Sequence, residues 1–326
     1  MTNGHRLPAI SAQGLRKSYG DKLVLDGIDI TVPEGTIFSL LGPNGAGKTT
    51  TVQILSTLIG RDGGEVRVAG HDLDAEANAV RQAIGVTGQF AAVDELLTGR
   101  ENLLLMADLH HLPRKTGTRL AADLLERFDL VEAGDKPAST YSGGMTRRLD
   151  LAMTLVGDPR VIFLDEPTTG LDPRSRRSMW EIIRNLVDDY SVTVFLTTQY
   201  LDEADQLADR IAVLDHGRIV AEGTAAELKR LVPGGHIRLE FADRAVQTAA
   251  AAAFAVQLPE SEDDLTLAVP SDGGVHSLRT VLDRLAYEQI EPAGLSVQTP
   301  TLDDVFLTLT GHSTIEKETE NDHSIA

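Results

Sequence analysis

The run Gly42-Pro43-Asn44-Gly45-Ala46-Gly47-Lys48-Thr49 has the residue types and spacing of a phosphate-binding loop. Glycines let successive backbone N–H groups curl around phosphate oxygens, where side chains would obstruct them. A helix starting near Lys48 would add the positive end of its dipole. Lys48 is placed to reach the β- and γ-phosphates, Thr49 offers a hydroxyl to Mg²⁺, and Thr50 follows among the nucleotide contacts. A second signal is Val161-Ile162-Phe163-Leu164-Asp165-Glu166. An apolar strand there delivers two carboxylates to its C-terminal end, where α/β sheets bind ligands. Asp165 would orient Mg²⁺ through its water shell, and Glu166 would polarise an attacking water. An apolar run ending in Asp-Glu says little alone. Coupled to the loop, it specifies hydrolysis of a nucleoside triphosphate.

These residues need a sheet to hold them. Thr36 to Leu41 reads as a buried strand before the loop, and Thr49 to Ile59 as the helix after it. Val161 to Leu164 and Val192 to Thr197 read as further buried strands, with Ser175 to Val187 a helix between them. Apolar runs that do not alternate, spaced by helices, predict a parallel sheet covered on both faces. Between them, about residues 90–150, the periodicity is helical, with Leu103, Leu104 and Met106 followed by Leu120, Leu124, Leu125 and Phe128. Pro233-Gly234-Gly235 marks a boundary. Beyond it the order reads strand (His236 to Phe241), helix, strand (Ala255 to Leu258), strand (Leu265 to Val269), helix, strand (Leu295 to Gln298) and a last helix. That βαββαβ order predicts a small ferredoxin-like α+β unit.

Tyr141-Ser142-Gly143-Gly144-Met145 precedes the strand of Asp165 and opens a helical pattern. It resembles the signature motif, usually L-S-G-G-Q, of the ATP-binding-cassette (ABC) ATPases. Tyr141 and Met145 replace the outer residues, while Ser142, Gly143 and Gly144 are kept. The resemblance extends over residues 11 to 230. It implies a P-loop ABC nucleotide-binding domain over 1–234 with a helical subdomain; the element pattern beyond the boundary gives an accessory unit over 235–312, and the polar composition of 313–326 predicts a disordered tail. The resemblance further implies that Tyr19 stacks on the adenine of ATP. Gln89 would sense the γ-phosphate, join Thr49 and Asp165 at Mg²⁺ and act in catalysis. Asp172, in Gly170-Leu171-Asp172, would carry information between two nucleotide sites. The family usually has a histidine where Gln199 stands; glutamine can donate a hydrogen bond but carries no charge, so slower hydrolysis is expected. Thr197 to Ile211, Ile219 to Thr224 and Pro300 to Leu307 resemble more narrowly the daunorubicin/doxorubicin-resistance ATP-binding proteins. That resemblance implies a homodimer on the cytoplasmic face of the membrane, docked through its helical insert to a separate integral permease. The C-terminal unit carries no chemical motif, and a regulatory or dimer-stabilising role is expected.

The bulk numbers agree. Of 326 residues 42% are hydrophobic, enough for a large core plus a smaller one. A net charge of -19 argues against a nucleic-acid binder working through a basic face. The absence of cysteine removes disulfides and thiolate chemistry. Met1 to Ile10 shows no apolar run of the kind a signal peptide needs, and no run approaches the ~18 residues that span a bilayer. Non-transport ABC ATPases usually carry two cassettes or a long coiled-coil insert, and this chain shows neither. A binding-only subunit is disfavoured by Glu166. Lipid or polysaccharide export shares every motif and is the remaining alternative to drug export.

Overall fold

Every residue of β3 (Ile37–Leu41), β7 (Val161–Asp165) and β8 (Thr193–Thr198) is buried, and in space these strands are neighbours. The computed structural model describes residues 8–88, 91–232, 235–258, 261, 264–272, 274–298 and 300–311. They fall into two units, residues 1–225 and 226–326.

The first unit opens with β1 (Ile10–Tyr19) and β2 (Lys22–Val32), then β3, α1 (Lys48–Leu55), β4 (Gly63–Val68), β5 (His71–Asp72), α2 (Ala77–Ala83) and β6 (Ile84–Thr87). The helical stretch contains α3 (Gly99–Leu109), α4 (Arg114–Arg127) and α5 (Gly143–Thr154). After β7 come α6 (Pro173–Tyr190), β8, α7 (Leu201–Leu207), β9 (Arg210–Asp215) and β10 (Arg218–Gly223), with α8 (Ala225–Lys229) at the division. Two sheets form. One is antiparallel, in the order β2-β1-β4-β5; the other is β10-β9-β3-β8-β7-β6, parallel except for β10.

The parallel sheet is apolar on both faces because both are covered. Phe38, Leu40, Val161, Phe163 and Phe195 face a core shared with the antiparallel sheet and α1. Their alternates Ile37, Ile162, Leu164, Val194 and Leu196 face a second core built by α3 to α6. This is the double-sided burial that continuous apolar strands require. Phe38 and Phe195 stack with centroids 5.5 Å apart, and Phe163 tilts against Phe195 at 5.7 Å.

Register matters most for function. Leu41 lies beside Thr198, Asp165 beside Thr197, and Thr87 beside Leu164. The residues that follow β3, β6, β7 and β8 therefore leave the sheet along one edge, the carboxyl edge where such sheets bind ligands.

The second unit contains β11 (His236–Glu240), α9 (Arg244–Phe254), β12 (Thr266–Pro270), α10 (Val275–Tyr287), β13 (Gly294–Gln298) and α11 (Leu302–Thr310). Its sheet has the order β12-β11-β13, both neighbours antiparallel to β11. The expected strand Ala255 to Leu258 does not form, so among the described residues the order is βαβαβ with a final helix and not the four-stranded ferredoxin-like one. The cause is local. Ala255 takes the left-handed conformation at φ 52° to close α9, and the Val256 N–H returns to the Ala251 carbonyl at 3.1 Å. Residues of the expected strand are thereby spent on a helix cap. The division also falls earlier than Pro233-Gly234, which lie outside the described residues, as does the expected tail 313–326.

Phe195→Ala removes the ring at the centre of the first core and should cost about 3–5 kcal/mol of stability, measured by urea unfolding.

Candidate nucleotide-binding site

The loop between β3 and α1 is held in place by its glycines and by its neighbours. Gly45 and Gly47 have φ 82° and 112°, values that L side chains rarely adopt. A Cβ at Gly42 would sit 2.3 Å from the Leu214 carbonyl oxygen, and one at Gly47 would sit 2.7 Å from Leu25. The Gly42 N–H donates to the Thr198 carbonyl at 3.2 Å, so the loop is tied to the end of β8. No side chain caps α1 at Gly47.

Lys48 is buried at 4% exposure. Its ammonium donates to the carbonyls of Gly42 at 2.8 Å and Pro43 at 3.1 Å, and lies 3.3 Å from Glu166 Oε1. Burial pushes its pKa below the usual lysine value, against the pull of Glu166 and Asp165. Around it opens a cavity of about 300 Å³ walled by Lys22, Val24, Asn44, Gly45, Gly47, Lys48, Thr49, Thr50 and Glu166. A larger cleft, about 750 Å³, lies at the opposite ends of β7 and β8, by Arg160, Val161, Val192 and Thr193. It shares no wall with the loop.

Asp165 ends β7, and Thr197 Oγ1 of the adjacent strand donates to its Oδ1 at 2.5 Å. Thr49 Oγ1 donates to the same oxygen at 3.3 Å. Loop and strand thus bring two hard oxygen donors together, a set that suits Mg²⁺. Glu166 has φ 50°, an uncommon conformation for a non-glycine residue. It is held there because its N–H donates to both the carbonyl and Oγ1 of Thr197, each at 3.1 Å. Thr169 Oγ1 donates to Glu166 Oε2 at 3.3 Å.

Other expected residues stand apart. Tyr19 is 51% exposed at the β1–β2 turn, opposite Lys22, which walls the cavity. Gln199 lies in the bend just after β8, next to Thr198, the residue that holds Gly42. Ser142 caps α5, accepting from the Met145 N–H at 3.3 Å, and Gly143 and Gly144 form the first turn. They are not walls of the Lys48 cavity. A Cβ at Gly144 would meet Ser175 Oγ at 2.9 Å, so this turn lies against the start of α6. There Asp172 caps α6 through the N–H groups of Arg174 and Ser175, both at 3.0 Å, and Ser175 holds its carboxyl below the usual range. Gln89 lies outside the described residues.

Some residues were not anticipated. Thr197 bridges Asp165 and Glu166; its only sequence signal is a polar end to the apolar run Val194-Phe195-Leu196. Arg147 is buried beneath the signature turn and is taken up below. Glu203, fully buried, accepts from Thr168 Oγ1 at 2.7 Å and Trp180 Nε1 at 3.0 Å, linking the segment after Glu166 to α6 and α7.

Burial raises the Glu203 carboxyl above its usual value of 4.5. A carboxyl raised in the fold stabilises fully below its unfolded pKa, and that contribution is lost as pH rises through the folded pKa. Glu203→Gln keeps the acceptor oxygen and removes the titration. The stability of the natural protein relative to Glu203→Gln should therefore fall from pH 5 to pH 8, read from paired urea titrations.

A family profile described as ABC transporter matches residues 25–169. The daunorubicin resistance ATP-binding protein DrrA3 of Streptomyces coeruleorubidus is 50% identical over 311 residues, covering 95% of this chain and 98% of that protein. The daunorubicin/doxorubicin resistance ATP-binding protein DrrA of Streptomyces peucetius is 47% identical over 316 residues, covering 96% and 95%. Among solved structures, a dimeric post-hydrolysis ATP-binding cassette with ADP and Pi superimposes with TM-score 0.60 at 24% identity, covering 66% of this chain and 98% of that one. Among the described residues no helix is long and apolar enough to cross a membrane. With a loop, carboxylate pair and signature turn on this fold, the chain belongs to the ABC transporter family as an ATP-binding, ATP-hydrolysing subunit.

Proposed function

We propose that two copies of this chain close on two Mg-ATP molecules and thereby drive a separate integral permease, at the cytoplasmic face of the membrane, to export a hydrophobic drug or antibiotic. The observation that carries this reading is the arrangement around Lys48. Lys48, Thr49 and Glu166 wall one cavity, and Asp165 is tied to it through the Thr49 hydroxyl, while the Ser142-Gly143-Gly144 turn stands outside that cavity on α5. A signature turn so placed is available to a second copy, with isologous symmetry. The dimeric relative and the drug-resistance names of the similar proteins support the same reading.

Lys48 is the group that receives the β- and γ-phosphates. A γ-phosphate at its ammonium competes with Glu166 for the same protons, so nucleotide entry releases the carboxylate to orient a water. Thr197 keeps Glu166 aimed by holding its N–H. Thr49 and Asp165 would hold Mg²⁺, which supplies charge neutralisation at the phosphate oxygens. Gln89 would join them there and sense the γ-phosphate. Tyr19 would stack on adenine, with Thr50 and the loop amides around the phosphates. Gln199 would contact the γ-phosphate as a neutral donor, and Asp172 would face the second site. Little covalent work falls to the protein; positioning and charge stabilisation lower the barrier. Leu96, 90% exposed ahead of α3, supports docking of the permease on the helical layer.

Glu166→Gln should lower ATP turnover by about 100-fold or more while ATP affinity is kept, and Lys48→Ala should lose affinity. Equilibrium binding and phosphate release on the full chain measure both; turnover surviving Glu166→Gln would count against the assignment. Gln199→His should raise turnover about 5-fold, since a charge-assisted hydrogen bond exceeds a neutral one by about 1 kcal/mol. Export is tested by daunorubicin accumulation in cells carrying the chain with its permease, where Lys48→Ala should abolish efflux.

A further inference from the structure

Three residues past Gly144, on the same helix, the Arg147 guanidinium is buried and donates to three carbonyls on two segments at once. Nη1 donates to the Gly88 carbonyl at 2.8 Å, Nη2 to the Asp165 carbonyl at 3.2 Å, and Nε to the Pro167 carbonyl at 3.0 Å. Asp150, one turn further along α5, lies 3.4 Å from Nη1 and accepts from the Ala92 N–H at 2.9 Å. The pair therefore grips the chain just after β6, again at Ala92, and on both sides of Glu166. Only a planar fork with five donors reaches carbonyls in three directions.

Stability alone is a poor explanation for this pair. Burial disfavours the charged form of each partner, lowering the pKa of Arg147 and raising that of Asp150. Apolar side chains of similar volume commonly do as well or better in such places. What an apolar pair cannot do is fix the helix at one rotation and one height against the ends of β6 and β7.

We infer that Arg147 and Asp150 are positioning residues that tie the signature helix to the backbone around Gly88 and around Asp165–Pro167, and so set the height and rotation at which this chain offers its turn to a second copy. The inference rests on the two-copy reading of the signature turn. Neither residue touches nucleotide in this account; both act through Ser142, Gly143 and Gly144.

The test uses the full chain with Glu166→Gln as parent, which holds ATP without turning it over. Mg-ATP-driven dimerisation is followed by sedimentation, and ATP affinity is measured separately below the dimerisation range. Arg147→Lys should weaken dimerisation about 10-fold or more, with ATP affinity changed less than about 2-fold and the chain still folded in the assay buffer, as urea unfolding reports. Ser142→Ala should weaken dimerisation too. The double variant should be no weaker than the worse single one, because both changes disable the same turn. Losses that multiply in the double variant, or dimerisation untouched by Arg147→Lys, would overturn the coupling. An equal fall in ATP affinity would overturn it as well, marking a general structural defect. Asp150→Asn, which keeps an oxygen for Ala92, carries the same cycle should Arg147→Lys fail to fold. Dimerisation that is absent in the parent, or indifferent to Ser142→Ala, defeats the two-copy reading itself and the coupling with it.

Discussion

A lysine ammonium held out of water must have acceptors on every side, and the site of this protein is organised around supplying them to Lys48. Two come from the loop that carries it, through the Gly42 and Pro43 carbonyls, and the third is the carboxylate of Glu166. An isolated buried charge is expensive. A loop that curls two carbonyls toward the cation, with a carboxylate as third acceptor, meets that cost. The tight contacts of Gly42 and Gly47 follow, since a backbone bent so sharply leaves no room for Cβ atoms.

The carboxylates are brought to that loop by sheet order. β8 lies between β3 and β7 and carries no acid or base of its own. It joins the two halves by hydrogen bonds: Thr198 holds Gly42, and Thr197 holds both Asp165 and Glu166. The strained φ of Glu166 is over-determined by these contacts, which is how an uncommon backbone conformation persists. A threonine that looks like the frayed end of an apolar strand is thus the hinge pin between the loop and the carboxylates.

The loop, the Asp165-Glu166 strand and the double-sided sheet were legible in the sequence because each is local. Consecutive residues fix them, and burial on both faces leaves an unbroken apolar signature. Arg147, Asp150 and Glu203 were not legible, because the backbone groups that Arg147 and Asp150 hold lie 18 to 59 residues away and the side chains that Glu203 accepts from lie 23 and 35 residues away. On a helix they read as ordinary polar positions. The false strand at Ala255 to Leu258 has the converse cause. Apolar residues with strand propensity were claimed by the left-handed cap of α9, a backbone event that residue type does not announce at an alanine.

An acidic chain that binds a polyanion needs explanation, and distance provides it. At physiological ionic strength fields are screened within about 8 Å, so most of the net charge of -19 does not reach the cavity. Near it the local balance decides, and two ion pairs shielded from solvent stand at the carboxyl edge of the sheet: Lys48 with Glu166, and Arg147 with Asp150. Burial makes each partner's absence felt strongly. An anion at Lys48 alters the first pair directly. The second pair shares the Asp165–Pro167 backbone with it, so a change of charge at the loop has a short, hydrogen-bonded route to the helix that bears the signature turn.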